Sequence, residues 1–175
     1  MAGSLTWSDV SARLGRNDLP YALAMAALAH DTLTDPAEVT RGITNAWCSA
    51  EWPAQAVDPD IWCSLFDIAQ PDPLMYLHDD EWRDRAALPP QITLYRGAIE
   101  DHAIGMSWTD DLERATWFAH RFDTIGGDVG KVYQVTIDPE VVLARFPTRR
   151  GEAEWVLDPN LIEDYEVTEL ERVDA

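Results

Sequence analysis

The sequence predicts an α+β protein, with an N-terminal helical lobe over residues 1–88 and a mostly antiparallel β core over 89–175. Three observations predict it. The first half is broken by Asp-Pro and Leu-Pro dipeptides of the kind that open short helices. Pro89-Pro90 then interrupts the chain, and from residue 91 short segments rich in β-branched and aromatic residues alternate with Gly, Asp and Pro.

In the helical half, Asp35-Pro36 and Asp58-Pro59 each set a capping acid before a proline that suits the first helical position, so helices are expected near 36–50 and 59–69. Leu19-Pro20 precedes YALAMAALAH, whose alanine content favours helix. Trp47, Trp52, Trp62 and Trp82 are spread through this half and are expected to form its core. Pro71, Pro73, Pro89 and Pro90 punctuate the exit, the last two marking the domain boundary.

In the second half, ITLYRG at 92–97 and IGMSWT at 104–109 read as strands. DDLERATWFAHRF follows, with Leu112, Ala115, Ala119 and Phe122 at helical spacing and Asp110, Asp111 and Glu113 at its positive N-terminal end. IGGDVG at 125–130 is a loop, KVYQVTID alternates as a strand should, and AEWVLDP and YEVTELERV supply two more strand candidates.

Composition narrows the function classes. A chain of 175 residues, 46% hydrophobic, can bury one good core plus a small helical lobe. With 32 acids against 13 bases, a single lysine (Lys131) and a net charge of -19, the surface repels phosphate backbones, so nucleic acid is not an expected partner. A basic protein surface suits it better, unless the charge serves only to keep a Trp-rich chain in solution. No run approaches the roughly 18 apolar residues of a membrane span, and the start lacks a basic segment leading into an apolar one, so the expected location is the cytoplasm. Cys48 and Cys63 lie in apolar surroundings and are expected as reduced, buried thiols.

Several chemistries lack their residues. His30, His78, His102 and His120 have no His-x-x-x-His spacing, so no metal site is expected. There is no Gly-x-Ser-x-Gly elbow, and IGGDVG does not open a helix as a nucleotide-binding loop would.

Three features of the second half occur in a telling order. Tyr95-Arg96-Gly97 puts an arginine at a strand end, where a guanidinium can grip a diphosphate through paired charge-assisted hydrogen bonds; alone, it would read as an arginine reaching out from a strand end. Ser107-Trp108-Thr109 points two hydroxyls to one face and an indole to the other, although Thr109 also stands where it can cap the next helix. Glu152-Ala153-Glu154 sets two carboxylates on one face, about 7 Å apart along the strand. Like charges placed together repel, an arrangement that becomes useful when positive charge develops before them, as at a sugar carbon losing its leaving group.

In that order LYRG, GMSWTDDLERATWFA and GEAEWVLDP resemble the ADP-ribosyltransferases of the Arg–Ser–Glu class, which includes bacterial toxins and phage enzymes. The likeness spans about residues 91–160. It departs from the family pattern where Trp108 replaces the usual middle threonine and Thr109 the final serine.

The resemblance implies a core of ADP-ribosyltransferase type that binds NAD as substrate. Arg96, with Gly97 behind it, would hold the phosphates or adjoining ribose. Ser107 and Thr109 would shape the nicotinamide pocket, Ser107 also positioning the catalytic acid. Glu154 would stabilise the oxocarbenium as nicotinamide departs. Glu152 would engage the acceptor, a protein side chain with arginine favoured. Trp117 or Phe118 would supply an aromatic wall, unless they belong to the helix core, and Arg149 and Arg150 stand where the family has its substrate-recognition loop, either to contact substrate or simply to offset Glu152 and Glu154. The implied activity is mono-ADP-ribosylation of a protein, as a toxin or phage-related effector. An NAD glycohydrolase on the same fold and a catalytically silent acidic interaction module remain alternatives, and a regulatory protein partner is left open.

Overall fold

The computed structural model describes residues 5–69, 88–125, 129–147 and 153–170, apart from the side chains of 122–125, 147 and 153. The chain forms two compact units, Met1–Pro73 and Leu74–Ala175. The sequence boundary at 88/89 differs from this division by a segment that lies mostly outside the described residues, as does Trp82.

The first unit is helical. α1 (Trp7–Ser11), α2 (Leu19–Ala24), α3 (Pro36–Ser49), α4 (Pro53–Ala56) and α5 (Pro59–Ile68) follow in order. The Asp-Pro starts work as expected: Asp35 accepts a hydrogen bond from the Ala37 N–H, and Asp58 from the Asp60 N–H. The alanine-rich run is α-helical only to Ala24 and continues as a π-helical turn over Met25–Ala29. Trp47 and Trp62 are fully buried and meet edge to face, with ring centroids 4.8 Å apart. Trp52 departs from expectation, being exposed: it lies outside the helices, in the bend at the start of α4. Cys48 is exposed too, because α3 turns Val39, Ile43, Ala46 and Trp47 inward instead; Cys63 is half-buried, and neither is in a disulfide.

The second unit is built on β1 (Ile92–Ala98), β2 (Ser107–Thr109), α6 (Leu112–Ile125), β3 (Lys131–Ile137), β4 (Val142–Pro147), β5 (Ala153–Leu157), α7 (Pro159–Ile162) and β6 (Thr168–Leu170). The strands form one antiparallel sheet in the order β4-β5-β2-β1-β3-β6. The whole is therefore α+β, helices first. The strand candidate at 104–109 shortens to three residues, the one in YEVTELERV starts only at Thr168, and β4 and α7 are additions to the expected set. α7 opens on Asp158-Pro159 with Asp158 accepting from the Asn160 N–H, the same signature as α3 and α5.

One face of the sheet carries the main core: Ile92, Leu94 and Ala98 of β1 with Tyr133, Val135 and Ile137 of β3, joined by Trp108, Trp155 and Leu157 and covered by Val141, Ile162 and Tyr165. α6 packs against the other face through Ala115 and Ala119, both buried. The approach is close enough that a Cβ on Gly97 would lie 2.1 Å from the Ala115 carbonyl oxygen. Leu112, expected on the buried stripe, is exposed, because it occupies the first turn of α6, and the sheet contact runs through Ala115 and Ala119. No helix among the described residues is long and apolar enough to cross a membrane.

Candidate functional site

The strand order sets β5, β2 and β1 side by side, so the three motifs meet across neighbouring strands although β2 and β5 are far apart in sequence. Tyr95 pairs with Thr109, Thr109 with Glu154, and Glu154 with Phe146, and directly paired residues share a face. Ser107, two residues from Thr109, is on that face as well but pairs with Val156. Tyr95, Thr109 and Glu154 thus form one row, with Thr109 buried and its two neighbours half-buried. The Thr109 hydroxyl accepts from the Asp111 N–H at 3.1 Å, and Asp111 in turn caps α6 by accepting from the Arg114 N–H. The cap of α6 is thus Asp111 rather than Thr109, whose hydroxyl holds the turn that leads into it.

Arg96 starts from the opposite face of β1, beside Leu94 and Ala98, and works in the fork between β1 and β2. The two strands pair at Tyr95–Thr109; one step on, the Arg96 side chain spans the gap, Nη1 donating to the Ser107 carbonyl at 2.6 Å. Its Nε donates to the His102 carbonyl at 3.1 Å, which ties down the turn at Glu100–His102. Gly105 lies against the guanidinium, with its missing Cβ position 2.7 Å from Nη2. The residue keeps some solvent access while its guanidinium end is enclosed: burial pulls it down to about 10, against the opposing influence of the Glu154 charge. It stays a cation at neutral pH. Arg96 and Glu154 are thus electrostatically coupled although their strand positions face opposite ways.

The remaining candidates divide clearly. Gly97 has a packing reason to be glycine, since a Cβ there would also lie 2.5 Å from the Ala119 nitrogen. Trp117 is 49% exposed and so is not helix core. It meets the half-buried Phe118 edge to face at 5.0 Å, and the Arg114 guanidinium lies 4.7 Å and 4.9 Å from the two ring centroids. Together they make an aromatic and cationic surface on α6. Glu152, Arg149 and Arg150 lie outside the described residues.

A further cluster had no motif to announce it. The Trp155 indole N–H donates to Asp110 Oδ2 at 3.1 Å, and Arg145 Nη2 lies 3.6 Å from the same oxygen. Arg145 also stacks 5.0 Å from the centroid of the Trp155 ring. The sequence signal, visible only in hindsight, is that Trp155 adjoins Glu154 and Asp110 adjoins Thr109.

Among the described residues there is no group of three or more His, Cys, Asp or Glu side chains arranged to hold a metal ion. Comparison of the chain with protein-family models, with curated proteins and with solved structures finds no match.

Proposed function

We propose that the second unit binds NAD and transfers its ADP-ribose to a protein side chain, with arginine the favoured acceptor, as in a toxin or phage-related effector. The observation that carries this reading is the adjacency of β1, β2 and β5, which brings Arg96, Ser107 and Glu154 to neighbouring strands, Ser107 and Glu154 on one face and Arg96 on the other. The resemblance in sequence order supplies the chemistry.

In that chemistry the bond between ribose C1′ and the nicotinamide nitrogen breaks, and its electron pair leaves with nicotinamide. The Glu154 carboxylate opposes the positive charge that develops at C1′, an effect that is strongest where water is partly excluded. Arg96 offers positive charge toward the diphosphate, its Nε and Nη1 being already committed to backbone carbonyls. The acceptor nitrogen forms the new bond to C1′ and gives up a proton, Glu152 being the acid that the resemblance assigns to the acceptor. Trp117 and Phe118 offer a stacking surface to an aromatic ring of NAD.

The test is incubation of the protein with labelled NAD and cell lysate. Label attached to a protein supports transfer. Label recovered wholly as free ADP-ribose replaces transfer with hydrolysis on the same residues. Glu154→Gln should lower NAD consumption by about 10²–10³-fold; NAD consumption unchanged by that substitution favours a silent acidic interaction module.

A further inference from the structure

The ladder between β2 and β5 consists of the pairs Ser107–Val156, Trp108–Trp155 and Thr109–Glu154. Glu154 therefore occupies the last rung, next to the end of a three-residue strand. A slip of one residue there would turn Glu154 to the opposite face, because side chains alternate along a strand. On the β2 side only these three pairs set the register, and on its other edge β5 pairs with β4 from Val142–Leu157 to Pro147–Ala153 with a register shift between Val142 and Ala144; a site carboxylate must be held within a fraction of an ångström.

Asp110, Arg145 and Trp155 reinforce that rung. One oxygen of Asp110, at the turn from β2 into α6, accepts from the indole of β5 and faces the guanidinium of β4. The same guanidinium stacks on the same indole, so the unit is closed on all three sides. Trp155 is 3% exposed, and the Arg145 side chain 15%. Asp110 sets an opposing charge 3.6 Å from this mostly buried cation. In a slipped register Trp155 would turn to the other face, and both its hydrogen bond and its ring contact would be lost.

We propose that Asp110 is a positioning residue for Glu154, acting through Trp155 and Arg145 to lock β5 in register against β2 and β4. The inference rests on the NAD-cleaving reading above. It assigns Asp110 no contact with substrate.

The test is steady-state NAD consumption by Asp110→Ala, Trp155→Phe, their double variant and Asp110→Asn, each checked for folding by circular dichroism. Asp110→Ala should lower kcat by about tenfold or more with KM within about twofold. Trp155→Phe keeps a ring but lacks the N–H, and should lower kcat to a similar degree even if the alanine variant folds poorly. The double variant should lose little beyond the larger single loss, since both changes break one bond. Asp110→Asn keeps an oxygen for the indole and should recover part of kcat. With an active wild type, unchanged kcat in both single variants, a change confined to KM, or fully additive losses would each overturn the positioning role and leave the NAD reading intact. A wild type that leaves NAD untouched would overturn the reading itself and this assignment with it.

Discussion

Thr109 stands directly across the antiparallel ladder from Glu154, whereas Ser107 stands across from Val156. Residues opposite each other have Cβ atoms about 5 Å apart, while diagonal neighbours are about 7–8 Å apart. The hydroxyl nearest the acid by backbone register is therefore that of Thr109, although the resemblance assigns the positioning of Glu154 to Ser107.

Thr109→Val removes a buried acceptor from the Asp111 N–H while keeping the shape of the side chain. It should reduce stability to urea by about 1–2 kcal/mol, and Thr109→Ser should keep most of it. A valine variant as stable as the wild type would show that the hydroxyl does not hold the turn into α6.

Arg96 and Gly105 should behave as one unit. A Cβ at residue 105 would lie 2.7 Å from Nη2 and 2.9 Å from Cζ, and Arg96 cannot step aside without releasing the carbonyls of His102 and Ser107. Gly105→Ala and Arg96→Lys should each lower kcat/KM for NAD by about tenfold or more, since an ammonium cannot reproduce the fork of a guanidinium. In Arg96→Lys the slimmer side chain leaves room for the alanine, so adding Gly105→Ala should do little more. Fully additive losses in the double variant would refute the unit.

Gly97→Ala tests how α6 is seated. The added carbon would meet backbone atoms of Ala115 and Ala119, which have no flexible end to move away. A loss of about 3 kcal/mol or more is expected in chemical denaturation, beyond that of ordinary overpacking at a side-chain contact. Gly130→Ala should resemble it, with its Cβ position 1.9 Å from the Ala119 carbonyl oxygen. Near-neutral effects at both positions would contradict the close helix-to-sheet approach.

Asp9 provides a pH test in the first unit. Hydrogen bonds from the Thr6 hydroxyl, and then from the Thr6 N–H, hold its carboxyl below the ordinary 3.8. Because the folded value is the lower one, this contribution to stability is complete above 3.8 and is lost as pH falls through the folded value. A carboxyl-detected NMR titration should find a midpoint below 3.8 that moves up toward it in Thr6→Val. Identical midpoints in the two proteins would show that the hydroxyl contributes nothing.

Local signals were legible wherever the physics was local. At Asp35-Pro36 and Asp58-Pro59 the cap and the proline act within one helical turn, and α3 and α5 start there. Asp158-Pro159 carried the same signal at the end of an apolar strand, and α7 was there to be read. Periodicity was a weaker guide to burial. It marks which residues recur on a face, but whether that face is covered depends on a partner elsewhere, so Ala115 and Ala119 are buried and Leu112 is not.

The α+β order, the main helix starts and the short motifs around Arg96, Ser107 and Glu154 were readable from the chain alone, because each is a local pattern of residues a few positions apart. That β5 lies between β4 and β2, that Thr109 faces Glu154 and that Asp110 bonds to Trp155 follow from long-range packing instead. Antiparallel pairing joins residues through backbone groups that nearly all residues carry, so the identities of two paired residues do not announce each other, and register is selected by the hydrophobic pattern and packing of the whole sheet.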